Sequence, residues 1–150
     1  MIALTVRQPY AARIVAGVKT IENRSRGTRL RGQVLIHAGG SIHKRFAMNE
    51  RDPLLQAREV GMLPRSALVG VVQLVGAHHA DTCPDVEACT RAGGERPTRD
   101  EPDVWHWELA DAVRFATEVP RIKGQLGFWA PDDRGQDLAA TALREATSRV

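Results

Sequence analysis

The sequence predicts an α+β fold, in which about six short strands form a small, closed or nearly closed β-barrel flanked by short helices. Six or seven runs of β-branched and apolar residues recur along 150 residues, separated by glycine, proline and polar turns. In so short a chain an open sheet would expose two unpaired edges, and closure removes them. We expect one domain over 1–150, with its core in 2–130 and a helical tail in 131–150.

The predicted strands follow from alternating or continuous apolar sequence. Residues 67–76 are apolar and β-branched on both faces, which is typical of a central strand. In 104–109, Trp105 and Trp107 alternate with polar residues, and this predicts that the two indoles face the core. The full set of predicted strands is 2–6, 20–23, 33–38, 67–76, 104–109, 112–116 and 126–130.

Boundary signals delimit the predicted helices. The first begins near Pro9, which suits a first helical turn because it lacks an N–H, and ends at Gly17, which suits the left-handed residue that closes a helix. Tyr10 and Ile14 lie on its apolar face, so we expect Tyr10 in the core. Further helices are expected from Asp52-Pro53 to Val60, at 85–92, and in the tail at 136–149.

Positive charge is concentrated in the N-terminal third of the chain. Residues 1–50 hold nine Lys or Arg against two Asp or Glu, a net charge of +7, whereas residues 51–150 hold twelve against sixteen, a net of −4. The densest run, Arg24 to Arg31, contains four arginines, whose forked guanidinium groups suit phosphate. Because this run lies beside Lys19 and the end of the first helix, the sequence predicts a basic face that binds a polyanion.

Cysteine usage bears on compartment and on metal binding. The chain begins without a hydrophobic leader and has no apolar run near the ~20 residues of a membrane helix, so we expect a cytoplasmic protein without membrane contact. His78 and His79 precede Cys83 and Cys89, but a cysteine spacing of six residues fits no usual zinc pattern. We therefore expect no metal, no other cofactor and, in a reducing compartment, no disulfide.

An ordered set of motifs surrounds the first helix. Arg7-Gln8-Pro9-Tyr10 precedes it, and Gly17-x-Lys19-Thr20-x-Glu22-x-Arg24 follows it. Later segments continue the order at 32–38, 68–75, 105–111 and 119–129. Over about residues 2–130 this arrangement resembles the ASCH domain (activating signal cointegrator homology), a branch of the PUA-like superfamily.

The resemblance implies a PUA-like β-barrel with a cleft beside the first helix that takes nucleic acid, chiefly RNA, or a modified nucleoside. We expect binding without chemistry as the main function, with phosphates held by the arginine run and a base held in the cleft. The candidate ligand-binding residues are Arg7, Gln8, Lys19, Glu22, Arg24, Arg26, Arg29 and Arg31.

The same resemblance implies a catalytic alternative. Some small ASCH proteins are amidohydrolases that deacetylate N4-acetylcytidine with a lysine matching Lys19 and a threonine nucleophile at the position of Glu22. A carboxylate cannot replace that alcohol, although Glu22 could activate water while Lys19 holds the oxyanion, or Thr20 could act as nucleophile. Metal-independent ribonuclease activity, also reported in this family, is a third alternative.

Several of these residues have a structural alternative. Arg7 and Arg24 could pair with Glu22 or Glu108 to close the fold, and Gln8 could satisfy backbone groups at the helix start. Trp129, near the end of its strand, is the tryptophan that we expect to reach a base by stacking.

Overall fold

The structure is a computed structural model that describes residues 1–43 and 61–148. Its centre is a six-stranded sheet with the strand order β2-β5-β4-β3-β1-β6. β1 and β3 run parallel, and the other neighbouring pairs in the described sheet are antiparallel. The strands are β1 (Ile2–Gln8), β2 (Ile21–Arg24), β3 (Gly32–Ile42), β4 (Ala67–His79), β5 (Trp105–Pro120) and β6 (Phe128–Trp129).

In the described residues, the sheet is accompanied by three helices, α1 (Tyr10–Val15), α2 (Val86–Arg91) and α3 (Asp133–Thr147), and by a 3₁₀ turn at Ala80–Thr82. The predicted tail helix is confirmed, and it begins earlier than expected because the Asp132 carboxylate caps it by accepting from Gly135 N. The helix predicted from Asp52-Pro53 to Val60 lies outside the described residues. Within 1–43 and 61–148, no helix is both long and apolar enough to cross a membrane.

The sheet is not closed into a barrel, and this corrects the predicted architecture. β2 and β6 are its two edges, and in the described part of the chain they do not pair with each other. They contain four and two residues. Such short edges expose few unpaired backbone groups, so the penalty that argued for closure is small.

The two strands predicted at 104–109 and 112–116 are one long strand, β5. Asp111 adopts a positive φ of 48° between them, and the pairing of β5 with β4 shifts register at three points. Such irregularities bend and twist a strand without ending its ladder. The break in the apolar pattern therefore marks a bend and not a turn.

Alternation along the strands gives the sheet two apolar faces. Val34 and Ile36 belong to one core, which α1 covers through Ile14, whereas Leu35 belongs to the other, which α3 covers through Ala139. The predicted binding motif lies on the α1 side, because the chain leaves this helix directly into it.

Candidate functional site

A cavity of about 820 Å³ opens beside α1, where β1 ends and β2 runs along the sheet edge. Its described lining carries charge of both signs. The cationic residues are Arg7, Lys19, Arg24 and Arg26. The acidic residues are Glu22, Glu95, Asp100, Glu101 and Asp103. The cavity therefore differs from the purely basic cleft that the N-terminal charge excess predicts.

The end of α1 places Lys19 in this cavity. Val18 N donates to Arg13 O at 3.0 Å and Gly17 N to Ile14 O at 2.9 Å, which is the hydrogen-bond pattern of a Schellman helix end. Gly17 has the required left-handed φ of 73°. Lys19 therefore leaves a fixed turn before β2 begins, and strand alternation does not determine where its side chain points.

Lys19 is 6% exposed, and its ammonium group is held by carbonyls, an aromatic ring and a carboxylate. Nζ donates to Ile21 O and, at 3.1 Å, to Gly93 O. It also lies 5.2 Å from the centre of the Tyr10 ring and 3.8 Å from Glu22 Oε2. Burial lowers the pKa of Lys19 below 10.5, although Glu22 opposes the shift.

Glu22 and Arg24 project into the cavity from β2, which pairs with β5. Arg24 Nη2 lies 3.0 Å from Glu22 Oε1 and donates to Thr5 O at 2.8 Å, and its guanidinium carbon lies 5.7 Å from the centre of the Trp107 ring. Glu22, at 7% exposure, thus has a cation on each side. A buried carboxylate requires such partners.

The segment after α2 forms another wall, which the sequence analysis missed. Asn23 Nδ2 donates to Gly93 O at 2.9 Å, and Asn23 Oδ1 accepts from Glu95 N at 2.8 Å. Ala92 O accepts from the backbone N–H groups of Thr20 and Ile21. The glycine pair at 93 and 94 was the available signal, because Gly93 has no side chain and lets this loop approach the Lys19 side chain closely.

The structure brings five of the predicted ligand-binding residues to one cavity, namely Arg7, Lys19, Glu22, Arg24 and Arg26. Gln8 is not among them: it is fully buried, donates to Pro64 O at 2.8 Å and accepts from Ala12 N at 3.1 Å. Arg29 and Arg31 are exposed and lie outside the lining. Thr20 faces a separate cavity of about 130 Å³.

Two aromatic residues depart from their predicted places. Tyr10 packs against the core but also lines the cavity, with its ring 4.9 Å from that of His43. Trp129, expected to stack on a base, is buried instead and donates from Nε1 to Thr5 Oγ1 at 3.1 Å. β6 pairs with β1 at this point, which turns the indole into the core.

The expectation of no disulfide is wrong in this structure. Cys83 and Cys89 are bonded, with their Cα atoms 7.0 Å apart. The 3₁₀ turn and the start of α2 fold the six-residue interval back on itself, because the Asp85 carboxylate caps α2 by accepting from Ala88 N at 2.9 Å. The cysteine spacing and a reducing compartment predict no disulfide, but neither takes account of the local fold, which brings the two cysteines together.

Comparison with known proteins identifies the fold. The family model of the ASCH domain matches residues 4–118. The crystal structure of ASCH from Zymomonas mobilis is similar, with a TM-score of 0.59 and 16% identity over 93% of each chain. Its S-to-A and Y-to-F mutant structures give TM-scores of 0.56 and 0.55, also at 16% identity, over 93% of this chain and 94% and 96% of theirs.

A search of curated protein sequences finds no match. At this level of identity, the structural likeness establishes the fold alone. The family model, however, spans most of the sequence, from the middle of β1 to near the end of β5. The chain therefore belongs to the ASCH domain family.

Proposed function

We propose that this protein binds single-stranded or looped RNA and takes one nucleoside, or a modified nucleoside, into the cavity beside α1. The observation that carries the proposal is the buried group of Lys19, Glu22 and Arg24 on the cavity wall. The edge of a nucleobase presents hydrogen-bond donors and acceptors side by side. A lysine and an arginine flanking a carboxylate complement such an edge.

The balance of charge in the cavity favours a base over a phosphate. Its described lining has four cationic and five acidic side chains, so a polyanion would meet as much repulsion as attraction there. A nucleoside is uncharged and hydrogen-bonds to both signs. The volume of about 820 Å³ also lies within the ~300–1,000 Å³ typical of small-molecule sites.

The phosphates of the same strand would lie outside the cavity. Arg26, Arg29 and Arg31 follow β2 as an exposed run, and Arg26 reaches the cavity lining. Exposed arginines on an irregular segment suit backbone contacts that do not depend on base identity. RNA recognition by an unstacked base held in a pocket, with its backbone on a basic rim, is common for single strands.

A second candidate function, hydrolysis of an N4-acyl cytosine, is favoured by the position of Lys19 on the cavity wall, where burial lowers the pKa of its amine from the ordinary value. A neutral amine can donate to both Ile21 O and Gly93 O and still keep a lone pair for a proton. Water would attack the acyl carbon and pass a proton to Lys19 Nζ. The C–N bond would then break, with that proton moving to the leaving amine. Thr20 has no part in this scheme, since it faces the other cavity.

Salt-dependent binding tests the phosphate contacts. We expect the affinity for single-stranded RNA to fall with salt, and the triple variant Arg26→Gln, Arg29→Gln, Arg31→Gln to reduce the slope of log K against log salt by about 2, at about 0.7 per contact. The matched control is Arg114→Gln, Arg134→Gln, Arg144→Gln, three exposed arginines elsewhere. Equal slopes for the two triple variants would contradict the assignment.

The cavity is tested separately with Lys19→Met. If the cavity binds a nucleoside, this variant loses affinity for the free nucleoside and for RNA but keeps the salt slope of the wild type. If the cavity is catalytic, the wild type releases acetate from N4-acetylcytidine and the variant does not. Unchanged affinity for nucleoside and RNA, with no turnover by the wild type, would exclude both functions.

A further inference from the structure

A cluster of four side chains lies outside the cavity and plays no part in the proposed function. His78 at the end of β4 and His106 near the start of β5 are register partners, and Cys83 and Cys89 lie beside them. One potential ligand atom from each of the four residues lies within 4.8 Å of all the others.

The hydrogen bonds of the two imidazoles fix where their lone pairs point. His106 Nε2 lies 2.8 Å from Glu95 O, and because a carbonyl only accepts, Nε2 carries the proton. His78 Nδ1 lies 2.7 Å from Glu108 Oε1 and donates to that carboxylate. In the neutral rings, His106 Nδ1 and His78 Nε2 are then both unprotonated, and they face each other at 3.2 Å. Two facing lone pairs at this distance repel each other, and either a proton or a metal cation held between them removes that repulsion.

Two of the six distances between ligand atoms already match the edges of a zinc tetrahedron, while the edge between the two sulfur atoms can form only after the disulfide is reduced. Bond lengths of about 2.1 Å for nitrogen and 2.3 Å for sulfur give edges of about 3.4 Å between two nitrogens and about 3.6 Å between nitrogen and sulfur. The observed distances are 3.2 Å between the two histidine nitrogens and 3.6 Å between His78 Nε2 and Cys89 Sγ.

The surroundings supply the outer hydrogen bonds that metal-ligating histidines normally have. His78 donates to the Glu108 carboxylate and His106 to the Glu95 carbonyl, and such partners orient the ring and raise its basicity. Two glycines leave room for the Glu108 carboxylate and for the His106 ring. A Cβ on Gly76 would lie 2.6 Å from Glu108 Oε2, and one on Gly94 would lie 2.8 Å from His106 Cε1.

We propose that the reduced protein binds one Zn²⁺ through His78 Nε2, His106 Nδ1 and the sulfur atoms of Cys83 and Cys89. The site closes four coordination positions with protein ligands, which is the arrangement of a structural zinc site. The spacing argument, which predicted no metal, compared only residues close in sequence. His106 enters the cluster from a neighbouring strand.

The disulfide and the zinc site are alternative states of the same two cysteines. A thiol reductant breaks the S–S bond, is itself oxidised to a disulfide, and leaves two thiols on the chain. Zn²⁺ then binds the two thiolates, and their protons pass to solvent. An oxidant that accepts two electrons, such as a small-molecule disulfide, reverses the sequence and releases the metal.

The test uses the full chain, reduced with a phosphine that does not bind zinc strongly. We expect elemental analysis by mass spectrometry to find one zinc per chain. When Co²⁺ replaces zinc, we expect the visible absorption of a tetrahedral thiolate complex. His78→Ala should lose the stoichiometric metal, whereas His79→Ala, at the neighbouring position, should retain it. Oxidation to the disulfide should release the zinc.

A second measurement separates the metal site from simple loss of structure. Glu108→Gln keeps all four ligands and should weaken zinc binding about 10–100-fold, while Glu118→Gln, further along β5, should leave it unchanged. A reduced wild type that binds no zinc, a Co²⁺ complex without tetrahedral absorption, or equal zinc affinity in the His78 and His79 variants would each overturn the proposal.

Discussion

Arg24 Nη2 and Glu22 Oε1 face each other at 3.0 Å across one face of β2. The two residues are two positions apart on the strand, so their side chains share a side of the sheet. Lys19 approaches the other carboxylate oxygen of Glu22 at 3.8 Å. Glu22 therefore influences how readily the Lys19 amine holds its proton.

The first prediction concerns that influence. Glu22 raises the pKa of Lys19 against the larger effect of burial, which lowers it. We expect Glu22→Gln to move the pKa of Lys19 further down, because the opposing negative charge is lost while the burial remains. An NMR titration of the Lys19 ¹³Cε resonance measures the midpoint, with Glu118→Gln as a control. A midpoint that stays or rises would show that Glu22 does not stabilise the ammonium form.

The second prediction separates the neighbours Gln8 and Arg7. Gln8→Leu leaves Pro64 O and Ala12 N without their side-chain partners, and we expect a loss of about 2 kcal/mol or more in the free energy of unfolding. Measured well below its melting temperature, this variant should bind RNA like the wild type. Arg7→Gln should do the reverse, lowering RNA affinity without a change in stability. If Gln8→Leu lowered RNA affinity without a change in stability, Gln8 would be a binding residue and the prediction would be wrong.

The third prediction concerns acid stability. His37 is buried and donates from Nε2 to Ile122 O at 2.8 Å, and burial lowers its pKa below 6.5. As pH falls below about 6.5, the unfolded chain takes up this proton before the folded chain does, so stability decreases. His37→Gln should reduce the slope of the unfolding free energy against pH between about pH 7 and pH 5, with the remaining slope due to the buried His106, whose pKa burial also lowers, and His79→Gln is the control. A wild type whose stability is constant over this range would contradict the prediction.

The fourth prediction concerns the packing of α1 on the sheet. A Cβ on Gly70 would lie 2.4 Å from Val113 O and 2.8 Å from Val15 Cγ1. We expect Gly70→Ala to lower the free energy of unfolding by about 1–3 kcal/mol or more, since neither the strand nor the helix can move without disturbing the core. In Gly40→Ala, where the nearest atom is Ser66 Oγ at 3.4 Å, urea unfolding should show a much smaller loss. Equal losses would argue against a close approach at Gly70.

Much of the fold could be predicted from local sequence because its elements are strongly patterned. The continuous apolar run of β4 and the proline and glycine around α1 predicted those elements close to their observed positions. Closure into a barrel could not be predicted, because it depends on whether β2 and β6 meet. Whether these two edge strands meet depends on the lengths and bends of the strands between them. The alternation of apolar and polar residues predicts neither the length nor the bend of a strand.

The candidate site was predictable in part for the same reason. The motif that follows the first helix contains Lys19, Glu22 and Arg24, which are close together in the sequence. Strict alternation would have separated Lys19 from Glu22, but the helix-end turn releases Lys19 from the strand pattern. The acidic wall at 100–103 and the partnership of His78 with His106 depend on residues distant in sequence, and no spacing rule reveals them.

The segment from Cys89 to Glu95 contributes residues both to the cavity beside α1 and to the histidine–cysteine cluster. Gly93 O accepts from both Lys19 and Asn23 on the cavity side, while Glu95 O accepts from His106 on the cluster side. A change in the backbone position of this segment would therefore alter hydrogen bonds at both the cavity and the cluster. If occupation of the cluster changes the affinity of the cavity by some factor, occupation of the cavity must change the affinity of the cluster by the same factor. This short loop would then let the redox state of two cysteines set how tightly a nucleoside is held.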